Sequence, residues 1–292
     1  MTQPTLFVAG AGGKLGRRVV ELLRERGYPG KIIAGSRHPE KLDFPGVETR
    51  KADFSDPAGF TDALAGVDRV LIISTDVIGE ARIRLHTDAV AAARAAGVKR
   101  ILYTSLPHPE PGSIIPMAAD HYATEQAIKA TGIDYTILRN SWYTEGLLGS
   151  LPAAIASGKW YTAAGEGLIS HVSREDTAKA AAGALIADAP GSRVFTITGP
   201  EALTVRELAA IASEVTGKPI EVVDVSDEQY AAGLQQAGFS ADLAALLTTF
   251  EIGHRRGLLS MVTDAVEELW GEKPTTVREF LTANRAALTP AA

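Results

Sequence analysis

Three glycines spaced three residues apart, Gly10, Gly13 and Gly16, lie between a short apolar run and an amphipathic segment. The apolar run Thr5 to Ala9 predicts a buried strand, and the apolar positions from Lys14 to about Arg26 have the spacing of a helix. A tight strand-to-helix turn needs glycine because the backbone there adopts unusual angles and must approach the sheet and a bound group closely. The pattern therefore predicts the first strand, turn and helix of a β-α-β series.

The alternation of strand-like and helix-like segments continues through the first half of the chain. Predicted strands lie at 31–36, 47–51, 69–74, 100–104 and 135–139, and predicted helices at 80–96 and 117–131. Strands that alternate with helices predict right-handed crossovers and a parallel sheet covered by helices on both faces. The predicted fold class is therefore α/β, with a Rossmann-type doubly wound parallel sheet.

The second half of the chain is less regular. Predicted helices lie at 145–157, 174–187, 204–216, 227–238 and 276–287, and short predicted strands at 159–162, 193–198 and 220–225. Thr204 and Glu207 have the Thr-x-x-Glu form of a capping box, which supports a helix beginning there. Because no Pro/Gly/Ser-rich linker separates the halves, we expect a Rossmann domain over residues 1–150. Residues 151–292 would form a smaller α/β substrate lobe, partly interleaved with the sheet.

The start of the first helix and the end of the second strand indicate a phosphate-bearing ligand. A helix N-terminus offers free N–H groups and positive dipole charge to phosphates. An NAD-preferring site places an acidic residue about 20 residues after the glycines, where it accepts from a ribose hydroxyl. Here that position holds Ser36 and Arg37, a hydroxyl and a planar cation that suit a 2′-phosphate. The sequence therefore predicts NADP(H) as the cofactor.

Asp53 and Phe54 follow the predicted third strand, where folds of this kind commonly bind the edge of the adenine. A short acidic side chain just before a helix can instead accept from the helix's first N–H groups. Two interpretations therefore stay open for Asp53, an adenine contact and the N-cap of the helix near Pro57.

Composition excludes several classes of protein. The net charge of −6 gives no general attraction to nucleic acid or to an anionic membrane, and no segment approaches the roughly 20 apolar residues of a membrane span. The chain has no cysteines, and its histidines lack metal-ligand spacing. The amino-terminal MTQPTLFVAGAGG has no basic leader before its apolar run, which predicts a cytoplasmic protein. We expect a small-molecule substrate and no nucleic-acid, membrane or metal partner. A homodimer is compatible with the sequence.

The segments VAGAGGKLG, GSRHPEKL, ADFSD, VKRILYTSLPH and GIDYTILRNSWYTE occur in this order, and YTSLPH and LRNSWYTE are the most specific of them. Together they resemble the NmrA-like atypical short-chain dehydrogenases, in the subgroup of the type-two NADPH:quinone oxidoreductases and triphenylmethane reductases. The resemblance covers most of the chain. It implies NADP along the carboxyl edge of the sheet and a small-molecule cleft against the second lobe.

The resemblance also implies the roles of individual residues. Arg37 would bind the 2′-phosphate, and the glycine loop would bind the pyrophosphate. The complete cofactor site expected in this way is Gly10, Gly13, Lys14, Leu15, Gly16, Ser36, Arg37, Asp53, Phe54, Ser74, Thr75, Thr104, Asn140, Ser141 and Trp142. The expected catalytic residues are His121, Ser105 and Tyr143.

The chain departs from typical short-chain dehydrogenases at their Tyr-x-x-x-Lys pair, in which lysine makes tyrosine a competent proton donor. His121 and Glu125 occupy that spacing here, with a carboxylate in place of the lysine. Tyr122 is one residue out of register, about 100° around the helix, and its partner one turn on is Gln126. Alcohol–ketone chemistry and sugar-nucleotide epimerisation are therefore disfavoured. Reduction of a quinone, whose product solvent can protonate, is less affected.

His121 has three interpretations: it binds the cofactor, donates a proton to the substrate, or pairs with Glu125 for local helix stability. Trp142 and Tyr143 are interpreted as pocket walls able to stack on a flat acceptor, or as core aromatics. The predicted function is flavin- and metal-free hydride transfer from NADPH to a quinone-like molecule. The alternative is an NADP-binding redox sensor without turnover.

Overall fold

The computed structural model describes residues 3–289. Its strands are β1 (Leu6–Ala9), β2 (Ile32–Ser36), β3 (Glu48–Lys51), β4 (Arg69–Ile72), β5 (Arg100–Ser105), β6 (Asp134–Asn140), β7 (Lys159–Thr162), β8 (Arg193–Ile197) and β9 (Glu221–Asp224). Its α-helices are α1 (Lys14–Glu25), α2 (Pro57–Ala63), α3 (Glu80–Ala95), α4 (Ala118–Ala130), α5 (Leu147–Ser157), α6 (Arg174–Ile186), α7 (Val205–Thr216), α8 (Asp227–Gln236), α9 (Ala241–Arg255), α10 (Ala265–Trp270), α11 (Val277–Ala283) and α12 (Arg285–Leu288).

The main sheet is parallel throughout and has the strand order β3-β2-β1-β4-β5-β6-β8. One face packs against α1, α6 and α10, and the other against α2, α3 and α4. Strands β1 and β5 are buried along their whole length, as expected of central parallel strands covered on both sides. The predicted Rossmann-type fold is confirmed.

The second half of the chain contributes to the main sheet as well as to a separate layer. β8 pairs with β6, and α6 packs beside α1. β7 and β9 form a two-stranded parallel sheet, and α5, α7, α11 and α12 enclose a further apolar core. The domain boundary at residue 150 stays a prediction. Among residues 3–289, no helix combines the length and the apolar character that crossing a bilayer requires.

The capping box predicted for Thr204 and Glu207 is present at the start of α7. Other elements differ from those that the sequence predicts. The single helix predicted over 276–287 is divided at Asn284 into α11 and α12. Helices α9 and α10 are not among the predicted elements. The buried positions of α9 are small or polar, and α10 has helical spacing of its apolar residues over only six residues.

Candidate cofactor and substrate site

The glycine loop joins β1 to α1 by close backbone contacts, which leave no room for a side chain at Gly16. Gly10 has a φ of 99°, and its N–H donates to the carbonyl of Gly35 at 3.0 Å. A Cβ on Gly16 would lie 2.3 Å from the carbonyl oxygen of Gly10. Gly13 is the N-cap and offers no capping side chain, so the first N–H groups of α1 are left for a ligand. The loop therefore has the open, donor-rich geometry that a pyrophosphate requires.

A cleft of about 600 Å³, the glycine-loop cleft, opens at the carboxyl ends of β1, β2, β3 and β4. Its walls include eight residues predicted from the sequence: Gly10, Gly13, Ser36, Arg37, Asp53, Phe54, Ser74 and Thr75. Residues in the same walls that the cofactor prediction did not include are Gly12, Arg17, His38, Lys41, Leu42, Ala52, Ser55, Ile73, Asp76, Val77 and Leu85. Arg17, one turn into α1, lines the cleft together with Arg37 and Lys41, so three cationic side chains are among its walls.

Asp53 is not the N-cap of α2. Asp56 has that position, and its Oδ1 accepts from the N–H of Gly59 at 3.0 Å. Asp53 Oδ1 accepts instead from Ser55 Oγ at 2.7 Å and from Ser55 N–H at 3.0 Å, and these bonds lower the pKa of the Asp53 carboxyl. Of the two interpretations offered above, the capping role is wrong, while the adenine contact stays a prediction.

A second cavity, of about 820 Å³, also has a wall at the start of α1, where Lys14 lines it and the preceding residue, Gly13, lines the glycine-loop cleft. We call it the aromatic cavity, after its walls Trp142, Tyr143, Trp160 and Tyr230. The remaining walls are Glu145, Gly146, Leu147, Leu148, Gly149, Ser150, Ile169, His171, Arg174, Val205, Leu208, Glu251 and His254.

The walls of the aromatic cavity are fixed by contacts behind them. The Trp142 ring meets Phe250 edge-on, with centroids 4.9 Å apart. The guanidinium of Arg174 lies 5.4 Å from the centre of the Tyr143 ring, and desolvation raises the pKa of Tyr143 to about 12. Tyr143 is therefore a neutral phenol at pH 7 on the wall of this cavity.

Seven of the predicted residues lie outside the walls of both spaces, within the described part of the chain: Leu15, Gly16, Thr104, Ser105, His121, Asn140 and Ser141. Leu15 packs in the apolar core. Thr104 Oγ1 accepts from the N–H of Ser74 at 2.9 Å and so holds a residue of the cleft wall. Ser141 N–H donates to the carbonyl of Ile197 at 2.9 Å, and Asn140 Oδ1 is buried without a partner within residues 3–289.

Ser105 and His121, two of the three expected catalytic residues, are engaged in buried hydrogen bonds. Ser105 Oγ donates to Glu125 Oε1 at 2.8 Å. Glu125 also pairs with Arg139 at 2.8 Å and not with His121, so of the three interpretations of His121 the pairing with Glu125 is wrong. The pair between Glu125 and Arg139 of β6 is a tertiary contact that the spacing of residues along α4 does not reveal.

His121 belongs to a polar network beneath the cleft. Its Nε2 lies 3.2 Å from Nη1 of Arg82, which can only donate, so Nε2 accepts and Nδ1–H donates to the Tyr103 hydroxyl at 2.7 Å. Burial lowers the pKa of His121 to about 3 and that of His86 to about 4. His86 Nε2 in turn accepts from the N–H of Thr75 at 3.1 Å.

The same network anchors the segment after β4. Arg82 Nη2 donates to the carbonyl of Thr75 at 2.9 Å, and its Nε donates to the carbonyl of Val77. Asp120 Oδ2 accepts from the N–H of Gly79 at 2.7 Å. His121 therefore contacts Arg82, which holds the cleft residue Thr75 in position, and it lines neither the glycine-loop cleft nor the aromatic cavity.

Comparisons with known proteins agree with this geometry. A family model described as NAD(P)H-binding matches residues 10–188. The chain is 37% identical to quinone oxidoreductase 2 of Escherichia coli over 277 residues, which are 94% of this chain and 96% of that protein.

Two solved structures extend the likeness to the fold. An NADPH-dependent quinone oxidoreductase from Escherichia coli, complexed with NADPH, is 35% identical with a TM-score of 0.90, over 96% of this chain and 100% of the other. A triphenylmethane reductase of a Citrobacter species, complexed with NADP(H), is 35% identical with a TM-score of 0.86, over 97% and 99%. The chain therefore belongs to the NAD(P)H-binding, NmrA-like family and is an NAD(P)H-dependent oxidoreductase with NADP(H) as its cofactor.

Proposed function

We propose that the chain transfers a hydride from NADPH directly to a quinone-like or other flat, electron-poor small molecule, without flavin or metal. The observation that carries this proposal is the aromatic cavity, whose wall residue Lys14 directly follows Gly13 of the glycine-loop cleft. A flat acceptor can stack on Trp142 or Tyr143 in a space of about 820 Å³. The relatives named quinone oxidoreductase and triphenylmethane reductase support the same substrate class.

In this proposal the glycine-loop cleft and the aromatic cavity bind different parts of the cofactor and substrate. The glycine-loop cleft holds the adenosine and phosphates, with N–H groups of the loop on the pyrophosphate and Arg37 on the 2′-phosphate. The aromatic cavity holds the nicotinamide end and the acceptor. Bound NADPH supplies the hydride, and the chain's own residues orient the acceptor and exclude water, so proximity provides most of the acceleration.

The test is reduction without added flavin. Purified protein should oxidise NADPH when given a simple benzoquinone or naphthoquinone, followed at the nicotinamide absorbance band. Because a hydride carries both electrons, the hydroquinone should form with no semiquinone signal in electron spin resonance. If NADPH binds but no quinone, dye or enone is reduced above the uncatalysed rate, the proposal fails and the NADP-binding sensor replaces it.

Tyr122→Phe is expected to leave benzoquinone turnover within a few-fold of the wild-type value. Tyr122 is partly exposed on α4, whereas His121, Thr124 and Glu125 form the buried face of that helix. Gln126, one turn on, is exposed and cannot supply the charge of a lysine. Steady-state kinetics decide this, and a loss of a hundredfold, about 2.7 kcal/mol in the barrier, would make Tyr122 the proton donor after all.

A further inference from the structure

The aromatic cavity contains a carboxyl group that hydride transfer alone does not use. Glu251, on α9, lines the cavity, and its side chain is 12% exposed. Its Oε2 accepts three hydrogen bonds, from Thr162 Oγ1 at 2.6 Å, Ala163 N–H at 2.8 Å and Ala164 N–H at 3.1 Å. An oxygen that accepts three donors has no lone pair left for a proton. The protonated carboxyl therefore carries its hydrogen on Oε1.

Within residues 3–289, no lysine or arginine forms an ion pair with Glu251, although the charge of Arg255 acts from further away against the rise in pKa that burial causes. Oε1 lies 3.8 Å from Nδ1 of His254, but burial lowers the pKa of His254 to about 4, so that ring is neutral at pH 7. The guanidinium of Arg255 makes two bonds to Asp227 instead, at 3.0 and 2.9 Å. Tyr230, on α8, is a neutral phenol whose pKa is raised by burial.

The cavity wall also holds polar atoms that are unsatisfied within residues 3–289. His254 is 5% exposed and His171 6%, and buried ring nitrogens of both lack hydrogen-bond partners. Burial lowers the pKa of His171 to about 3 and raises the pKa of the Glu251 carboxyl, in spite of the three bonds to Oε2. Buried polar atoms without partners are rare in folded proteins and fit a wall that receives a polar ligand.

We propose that Glu251 is the proton donor of the reaction and gives the hydrogen on Oε1 to an oxygen of the acceptor. This inference rests on the proposed function. Hydride transfer to a quinone adds two electrons and one hydrogen and leaves a hydroquinone monoanion. The O–H bond at Glu251 Oε1 breaks, its proton binds the oxyanion, and solvent then protonates the carboxylate again.

The pH dependence of quinone reduction tests this directly. The protonated carboxyl is the active form, so wild-type kcat/KM should fall as the pH rises through the raised pKa of Glu251. Glu251→Gln should abolish this alkaline limb and lower kcat about tenfold on the acid side of the limb, since water in the cavity replaces the acid only in part. Thr162→Val removes a donor to Oε2 and should move the limb to higher pH.

Two controls separate this role from a structural one. Glu214→Gln makes the same change on an exposed carboxylate that pairs with Arg278, and should leave the profile unchanged. Reduction of a triphenylmethane dye cation needs a hydride but no proton, so Glu251→Gln should leave that rate within two- to threefold. Glu214→Gln should also retain the wild-type affinity for NADPH.

An infrared titration of the free protein gives a readout apart from turnover. The C=O stretch of a protonated carboxyl should persist to higher pH in wild type than in Glu251→Gln. A wild-type profile without an alkaline limb, or a limb that stays in place in Glu251→Gln, overturns the inference while quinone reduction stands. A wild type that reduces no quinone overturns the proposed function itself.

Discussion

Gly16→Ala is expected to lower the melting temperature by roughly 6–12 °C and to abolish measurable NADPH binding. The new Cβ would lie 2.3 Å from the carbonyl oxygen of Gly10, 2.7 Å from its carbonyl carbon and 2.9 Å from the nitrogen of Ala11. All three atoms are backbone atoms of the loop, so no side chain can rotate away. Overpacking of this kind costs about 3 kcal/mol, and each kcal/mol lowers the melting temperature by about 2–4 °C in a protein of this size.

The matched control is Gly233→Ala. Gly233 lies inside α8, and a Cβ there has no atom within 4 Å outside its own helix. Alanine is a better helix former than glycine by up to about 1 kcal/mol, so this variant should melt at or above the wild-type temperature. Thermal unfolding followed by circular dichroism, with calorimetric titration of NADPH, measures both effects. A Gly16→Ala protein that binds NADPH normally would show that α1 can move away from the loop at little cost.

Arg37→Ala should weaken NADPH binding by roughly ten- to a hundredfold and leave NADH binding nearly unchanged. A charge-assisted hydrogen bond to phosphate contributes about 1.5–3 kcal/mol to binding. NADH has no 2′-phosphate, so it makes no such bond with Arg37 and loses none in the variant.

Arg37 is exposed in the glycine-loop cleft, and together with the preceding serine it occupies the position that an acidic residue takes in NAD-preferring sites. Asp53 lines the same cleft, but its carboxyl accepts hydrogen bonds from Ser55. Arg17 and Lys41 line the cleft as well. Their attraction for the 2′-phosphate remains in the variant, which is why the expected loss of NADPH affinity begins at about tenfold.

Titration of both cofactors against wild type and variant measures this preference. Arg24→Ala is the control, because Arg24 is an exposed cation on α1 outside the glycine-loop cleft. It should change neither affinity by more than about twofold, since exposed charges contribute well under 1 kcal/mol. Equal losses for NADPH and NADH in Arg37→Ala would mean that Arg37 contacts a part common to both cofactors.

The main sheet and the glycine-loop cleft could be predicted from the sequence because their signals are local. β1 is apolar along its length and β5 has an apolar centre at residues 101–103, while Gly10, Gly13 and Arg37 lie at fixed offsets from the strand ends. The confirmed family, fold and cofactor follow from these local patterns and from the resemblance that they carry.

The aromatic cavity could not be predicted in the same way. Its carboxylate, Glu251, comes from α9, whose buried positions are Ala244, Thr248, Gly253 and His254. These small or polar residues give no hydrophobic period, so the helix was missed. The cap at Ser240 was a signal that could have marked its start. The contacts of His121 could not be predicted for a related reason, because its partners Arg82 and Tyr103 lie on α3 and β5 and no spacing within α4 reveals them.

The position of β8 at the end of the main sheet has a consequence for folding during synthesis. Its residues Arg193–Ile197 pair with β6, and α6, just before it, covers α1. When only the first 150 residues have left the ribosome, neither the strand that closes this edge nor the helix that shields α1 has emerged. The nascent half would present an unpaired strand and an uncovered apolar face, both of which favour association between chains. The final closure of the Rossmann sheet must wait until residue 197 has left the exit tunnel.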